Sequence, residues 1–77
     1  MILTPYQQLV LHVLSAEWQT PIQLVNQIPK ESGNLSDVQQ ALKDLLHEGL
    51  VQVNPVVLGM YRLTSDGTAT KADLLEK

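Results

Sequence analysis

The sequence predicts an α+β fold that is mostly helical, with three core helices, a two-stranded β-hairpin and a short C-terminal helix. Three helix start signals follow one another in the first half of the chain. After Gly49 the residues become β-branched and aromatic, which is typical of strands. We expect one domain over residues 1–77, with its core over about 4–67 and the last helix over about 68–76, because so short a chain cannot fill two cores.

The first two helices share one start signal. Thr4-Pro5-Tyr6-Gln7 and Thr20-Pro21-Ile22-Gln23 each combine a capping hydroxyl, a proline at the first helical position and a glutamine that can reach back to the cap. We expect the first helix to run from about Pro5 to Ala16. The second should end near Ile28, because Pro29 disfavours helical geometry in the residue before it.

The third helix is the element around which the rest of the chain is arranged. Ser36-Asp37-Val38-Gln39 repeats the start signal without the proline, and Gly49 marks the end of the helix. Apolar residues at helical spacing predict one side that faces the core: Val38, Ala41, Leu42, Leu45 and Leu46. The opposite side carries a polar row that could meet a partner: Asp37, Gln39, Gln40, Lys43, Asp44 and His47.

The hairpin is predicted from two β-prone runs, Leu50–Asn54 and Leu58–Thr64, with the turn residues Asn54-Pro55 between them. Ser65-Asp66-Gly67 should then turn the chain into the last helix, over about Ala69 to Glu76.

Composition argues against several classes of function. The chain has no cysteine, so disulfides and thiolate zinc sites are excluded. It has no glycine-rich phosphate loop and no nucleophile with a base at a recognisable spacing, so we expect neither an enzyme nor a cofactor. We find no signal peptide and no apolar run long enough to span a membrane, and therefore expect a cytoplasmic protein without a membrane partner.

The two histidines have plainer interpretations than metal binding or catalysis. His47 lies near a helix C-terminus, where positive charge is mildly favoured. His12 has apolar neighbours, as expected of a partly buried or interfacial side chain. One histidine beside Asp44 and Glu48 is a common chance arrangement on a surface helix, so we expect no metal site.

Four segments follow one another in an order that matches a known family: Thr20–Leu24 (TPIQL), Leu35–Leu42 (LSDVQQAL), Leu45–Val51 (LLHEGLV) and Tyr61–Gly67 (YRLTSDG). In this order they resemble the winged helix-turn-helix domain of MarR-type and PadR-type bacterial transcription regulators. The resemblance covers about residues 4–67 and implies a winged-helix fold whose hairpin is the wing.

The resemblance also implies a DNA-binding site. In helix-turn-helix proteins the second helix of the motif enters the major groove of double-stranded DNA, and here that helix would run from Ser36 to Glu48. The implied DNA-binding residues are Ser36, Gln39, Gln40, Lys43 and, beside the wing of residues 55–60, Arg62. Glutamine suits adenine, and lysine suits guanine or a phosphate.

The charge of the chain leaves a second interpretation open. Nucleic-acid binders usually carry a basic patch, whereas this chain has a net charge of −3 and five scattered cations. One hypothesis is therefore a transcription regulator with weak or dimer-dependent DNA contact. The alternative is an acidic winged-helix module that binds a protein partner and not DNA. The surplus of apolar residues on the first helix predicts a homodimer through the first and last helices.

Overall fold

The computed structural model describes residues 2–75 of the chain. Its elements are α1 (Pro5–Val13), α2 (Pro21–Val25), a 3₁₀ turn (Lys30–Ser32), α3 (Leu35–His47), β1 (Val51–Val53), β2 (Tyr61–Leu63) and α4 (Ser65–Leu75). The predicted fold class is confirmed, because three helices precede an antiparallel two-stranded sheet and one helix follows it. Within residues 2–75, no helix combines the length and the apolar character that crossing a membrane requires.

Helices α1 and α2 begin where the sequence predicts, because both capping boxes form. The Thr4 backbone N donates to Gln7 Oε1 at 3.0 Å, and Gln7 N donates to Thr4 Oγ1 at 3.1 Å. Thr20 and Gln23 make the same pair of bonds at 2.9 and 3.2 Å. Each box satisfies two backbone N–H donors that a bare helix end would leave to water.

Helix α1 is shorter than predicted and stops at Val13 instead of Ala16, because the residues that follow pair with the hairpin. Leu63 N donates to Ser15 O at 2.9 Å. Gln19 and Tyr61 exchange two backbone hydrogen bonds, at 2.9 and 2.8 Å. The connection between α1 and α2 thus lies beside β2, and this tertiary pairing ends the helix.

Helix α2 ends at Val25, and the chain reaches the predicted end at Ile28 through a tighter turn. Gln27 N donates to Leu24 O at 3.0 Å and Ile28 N to Val25 O at 3.2 Å, both with the spacing of a 3₁₀ turn. Such tightening is common in the last turn of a helix.

The predicted cap of the third helix is wrong. Asn34, and not Ser36, is the N-cap of α3, since Asn34 N donates to Asp37 Oδ2 at 2.9 Å and Asp37 N donates to Asn34 Oδ1 at 3.1 Å. A short carboxylate takes the place of the glutamine, and its negative charge is favoured at the positive end of the helix dipole. Gly49 ends the helix as predicted, with a φ of 78° that suits glycine.

Both strands are shorter than predicted, with three residues each. The register joins Val51 to Leu63, Gln52 to Arg62 and Val53 to Tyr61. The remaining residues of the two runs form the ends of the hairpin and its loop.

Helix α4 begins at Ser65, earlier than the predicted Ala69. Thr64 Oγ1 accepts from Gly67 N at 3.0 Å and donates to Gly49 O at 2.7 Å, so this hydroxyl joins the start of α4 to the end of α3. Gly67 is not a turn residue: it is buried in the helix, and a Cβ there would lie 1.9 Å from Leu50 O. The predicted end of the helix, at Glu76, lies outside the described residues.

The core lies between the helices and the inner face of the hairpin. Its largest fully buried side chains are Val10, Leu11, Leu14, Leu24, Val38, Leu42, Leu45 and Val51. The predicted core position of Leu46 is wrong, because this side chain stands at the margin of the apolar stripe and is 39% exposed. His12 is exposed, and not partly buried, on the side of α1 that lines a cleft against α4, and its place in an interface between subunits stays a prediction.

Candidate nucleic-acid interface

Four of the five predicted DNA-binding residues lie together on the outer side of α3. Ser36, Gln39, Gln40 and Lys43 are all exposed, and their three- and four-residue spacing places them next to one another on the helix surface. The side opposite them is the buried stripe, so core packing fixes the direction in which this polar face points. We call these four residues the α3 face.

The structure places the fifth predicted residue, Arg62, apart from the α3 face. Arg62 lies on β2, and its guanidinium carbon is 4.3 Å from the centroid of the Trp18 ring, a cation–π contact. Its neighbour Tyr61 lines the same groove as Gln39 and Lys43. Because successive side chains of a strand point to opposite faces, Arg62 points away from that groove.

The two glutamines of the α3 face differ in how free they are. Gln40 Nε2 donates to Asp44 Oδ1 at 3.0 Å, one turn further along the helix. Within residues 2–75, the Gln39 side chain makes no such bond, so its amide oxygen and nitrogen can both pair with a ligand. Gln39 is therefore the better placed of the two for recognition of a base.

The carboxylates of α3 are committed to internal hydrogen bonds. Asp37 accepts from the backbone of Asn34, and Asp44 accepts from Gln40 and, across to α1, from Gln7 Nε2 at 3.2 Å. These bonds fix the start of α3 and join its middle to α1. Lys43 is the only lysine or arginine of α3, so the face has one cation to attract a phosphate.

The loop of the wing has no charged side chain and is apolar at its tip. Residues 49–61 include no charged side chain. Asn54 Oδ1 accepts from Val56 N at 2.8 Å and from Val57 N at 3.0 Å, and Gly59, at a φ of 88°, turns the chain back. This turn presents Val56, Val57 and Leu58, which we call the wing tip, with Val56 86% and Leu58 82% exposed.

An apolar groove runs between the start of α2, α3 and the wing. Its volume is about 550 Å³, and Ile22, Leu35, Leu46 and Tyr61 line it together with Gln39 and Lys43 of the α3 face. Leu46 and Ile22 are exposed in this groove. Leu46, which the sequence placed in the core, is thus open to solvent because it lines the groove. We call it the α2–α3 groove.

Tyr6 packs beneath the start of α3. Its ring lies so close to Gly33 that a Cβ on Gly33 would be 2.6 Å from Tyr6 Cε1. Within the described part of the chain, the buried Tyr6 hydroxyl has no hydrogen-bond partner. Burial, and secondly the negative charge of Asp37, raise the pKa of Tyr6 above its usual value.

His47 and Lys71 lie outside the α3 face. Across residues 2–75, no group of three or more metal-ligating side chains comes together. His47 is exposed on α3, and the Lys71 ammonium of α4 donates to Leu14 O at 2.7 Å, where it satisfies a carbonyl at the end of α1.

Comparison with known proteins identifies the architecture. RosR from H. salinarum superposes with a TM-score of 0.81 at 26% sequence identity, over 96% of this chain and 72% of RosR. A possible HxlR family transcriptional factor from Thermoplasma volcanium superposes with a TM-score of 0.79 at 21% identity, over 95% of this chain and 67% of that one. The fold is a winged helix. No protein-family model matches the chain, and no curated protein sequence matches it.

Within the winged helix, α2 and α3 form the helix-turn-helix and the hairpin is the wing. Bacillus subtilis PadR, solved in complex with operator DNA, superposes with a TM-score of 0.81 at 20% identity. All of this chain is covered, and it spans about half of PadR, 49% of its length. The resemblance to PadR-type winged helices that the sequence indicates is thus confirmed at the level of the fold.

Sequence reasoning missed three features of this winged helix. The Gln7–Asp44 bond and the stacking of Arg62 on Trp18 join residues far apart in the chain, and no local pattern announces them. The apolar wing tip could have been found, because the uncharged run of residues 49–61 is visible in the sequence.

Proposed function

We propose that this chain is a non-catalytic transcription regulator that binds double-stranded DNA through the α3 face. The observation that carries the proposal is the exposure of Ser36, Gln39 and Lys43 on the helix that occupies the recognition position of a winged helix. The similarity to PadR, which was solved with operator DNA, supports the same function.

Each residue of the face has a distinct role in this proposal. Gln39 reads a base edge, and adenine suits its paired acceptor and donor. Ser36 contacts a base or a phosphate near the start of the helix, and Lys43 contacts guanine or a phosphate. Gln40 is held by Asp44 and acts mainly by positioning that carboxylate. Arg62, stacked on Trp18, can direct its remaining N–H groups at the DNA backbone.

The scarcity of cations sets the strength of binding. Lys43, Arg62 and the exposed Lys30 offer at most about three phosphate contacts per chain, which corresponds to a salt slope of about −3. We therefore propose weak binding by one chain that is lost at physiological salt. A homodimer would double the contacts by placing two α3 helices on two half-sites.

The proposed homodimer uses α1 and α4. A cleft between these helices is lined by apolar side chains, including Leu9, Leu74 and Leu75, and Leu75 is exposed. Dimerisation would cover this surface and contribute the apolar burial that so small a domain lacks. Sedimentation that shows only a monomer at high concentration would remove this part of the proposal.

The function is tested by selecting duplexes from a random-sequence pool at low salt and measuring their affinity by fluorescence anisotropy. We expect Gln39→Ala to lower the affinity for the selected duplex about tenfold, since a base contact contributes roughly 1–3 kcal/mol of discrimination. The affinity for non-specific duplexes should change little. The adjacent Gln40→Ala is the matched control and should have a smaller effect, because Gln40 is bonded to Asp44. Failure to bind any duplex at low salt would contradict the proposed function.

The second candidate function is a winged-helix module that binds another protein. The exposed wing tip and the uncharged run of residues 49–61 favour it, because they suit an apolar partner better than a phosphate backbone. This function would follow if no duplex binds and a protein partner is captured through the same side of the fold.

A further inference from the structure

The wing tip is an apolar surface held in a fixed shape. Single exposed aliphatic residues are normal, but here three in a row stand on one turn. The two bonds to Asn54 Oδ1 and the bond from Asn54 N to Met60 O at 2.9 Å hold the loop in place. A preformed apolar tip loses little conformational freedom when it is covered, so it is suited to bind.

The α2–α3 groove is the complementary feature. Its volume of about 550 Å³ falls in the range of roughly 300–1,000 Å³ that ligand sites in proteins occupy. Ile22, which is 61% exposed, and Leu46 offer apolar surface that the described part of the chain does not cover. Gly59, the residue after the wing tip, also lines the groove, so tip and groove are neighbours on the molecule.

We propose that the wing tip of one chain seats in the α2–α3 groove of a second copy, and that the second copy returns the same contact. Because tip and groove are neighbours, a two-fold axis between two copies can pair each tip with the other groove. Such an arrangement is self-complementary and closed, as two-fold interfaces are.

Charge favours a second copy over nucleic acid as the occupant of the groove. The run of residues 49–61 brings no charge into the contact. Among the described residues, Lys43 is the only charged one that lines the groove, and a lysine can keep its ammonium in water while its stem packs on apolar surface. A phosphate backbone would gain no cation from the wing tip, whereas an apolar groove gains three aliphatic side chains.

The paired state would hide part of the α3 face. Gln39 and Lys43 line the groove, so a seated tip covers the residues that the proposed function assigns to DNA. Self-association and DNA binding are then mutually exclusive, and this consequence alone rests on the proposed function. The chain would release its DNA-binding face when its concentration falls or when DNA competes for it.

A site-specific cross-link tests the contact directly, because the chain has no cysteine of its own. Leu58→Cys and Ile22→Cys chains are mixed without DNA and oxidised, so that any disulfide between the two must join different copies. We expect this mixed disulfide to form in preference to the one between Leu58→Cys and Ile2→Cys. Ile2, which is 96% exposed, is the control for random collision. Equal yields in the two mixtures, or no disulfide, would overturn the proposal.

Sedimentation equilibrium without DNA gives an independent readout. The double variant Val56→Ser with Leu58→Ser should raise the dissociation constant of the self-association through the wing tip about tenfold or more. Ile2→Ser should leave this dissociation constant unchanged. Both positions are exposed, so neither change threatens the core. An unchanged dissociation constant would contradict the tip contact.

DNA titration separates this inference from the proposed function. If the tip blocks the α3 face, the double variant should bind duplex at lower protein concentration than the unaltered chain, measured where the unaltered chain self-associates. Weaker DNA binding by the double variant would make the tip a DNA contact and overturn the inference. Absence of DNA binding in every variant, with the cross-link intact, would contradict the proposed function only.

Discussion

Helix α3 and the wing lie on either side of one groove, and they expose different chemistry. The α3 face presents hydroxyl, amide and ammonium groups on a helix that is held by the core and by bonds from Asn34 and Gln7. The wing presents aliphatic side chains on a turn that is held by Asn54. The α3 face can hydrogen-bond to polar groups of a ligand, whereas the wing can only pack its aliphatic side chains against one.

A shared fold does not fix the chemistry of each of its parts. A winged helix places α3 and the wing in the same relation whatever side chains they carry. Here the cations are scarce and residues 49–61 have none, so the proposed DNA contact falls mainly on α3 and the wing tip is free for another use. Substitutions in α3, in the wing, or at the contacts that hold either element in place test this difference.

The largest loss of stability is expected at the close contact between the hairpin and α4. A Cβ at Gly67 would lie 1.9 Å from Leu50 O, which is backbone, so Gly67→Ala must displace the base of the hairpin and with it the wing. The clash should cost about 3 kcal/mol of unfolding free energy, at the upper end of overpacking. It outweighs the roughly 1 kcal/mol that alanine gains over glycine in a helix.

Urea denaturation measures this effect, and Gly59→Ala is the matched control in the wing. Gly59 has a φ of 88°, but a Cβ at this position would meet no atom within 4 Å among the described residues. The control should therefore lose only the roughly 1 kcal/mol of a left-handed residue. A Gly67→Ala chain as stable as the control would show that the hairpin is not attached through this close contact.

A smaller effect is expected at the start of α3. Asn34→Ala removes the capping box and should lower the free energy of unfolding by about 1 kcal/mol. Ser36→Ala changes the residue that the sequence suggested as the cap, and it should change stability little because Ser36 lies inside the first turn. Urea denaturation of the two variants decides between the caps, and a larger loss for Ser36→Ala would contradict the structure.

The smallest change in stability is expected at Tyr6, which packs beneath the start of α3. Tyr6→Phe removes a buried hydroxyl that has no partner within residues 2–75, so stability at neutral pH should stay the same or rise by up to about 1 kcal/mol. The raised pKa of Tyr6 means that the folded state favours the protonated phenol. The stability that this preference contributes is present below the pKa of about 10 that tyrosine has in the unfolded chain, and it is lost as the pH rises above that value.

Stability measured against pH therefore separates Tyr6 from the rest of the chain. The unaltered protein should lose stability above about pH 10 more steeply than Tyr6→Phe does. Parallel curves for Tyr6→Phe and the unaltered protein would contradict the burial of the hydroxyl.

The sequence could predict the elements whose signals are local. The starts of α1 and α2 follow from their threonine-proline-glutamine boxes, and the end of α3 follows from Gly49. The four residues of the α3 face follow from helical spacing, because the apolar stripe decides which side is left outside.

Features that depend on distant residues could not be predicted in this way. Helix α1 ends early because Ser15 and Gln19 pair with β2, and Gly67 is required by the carbonyl of Leu50. Arg62 points away from the α2–α3 groove because strand alternation and the contact with Trp18 fix its direction. In each case a tertiary contact overrides a local preference that the sequence shows correctly.

The main proposed claim is that the DNA contact lies on α3, with Arg62 beside it, and not on the wing tip. The most direct test is the dependence of duplex affinity on salt concentration for the unaltered chain, Lys43→Gln and Leu58→Ser. We expect Lys43→Gln to reduce the magnitude of the slope of log affinity against log salt by about 1 per chain and Leu58→Ser to leave it unchanged. An unchanged slope for Lys43→Gln would contradict the claim.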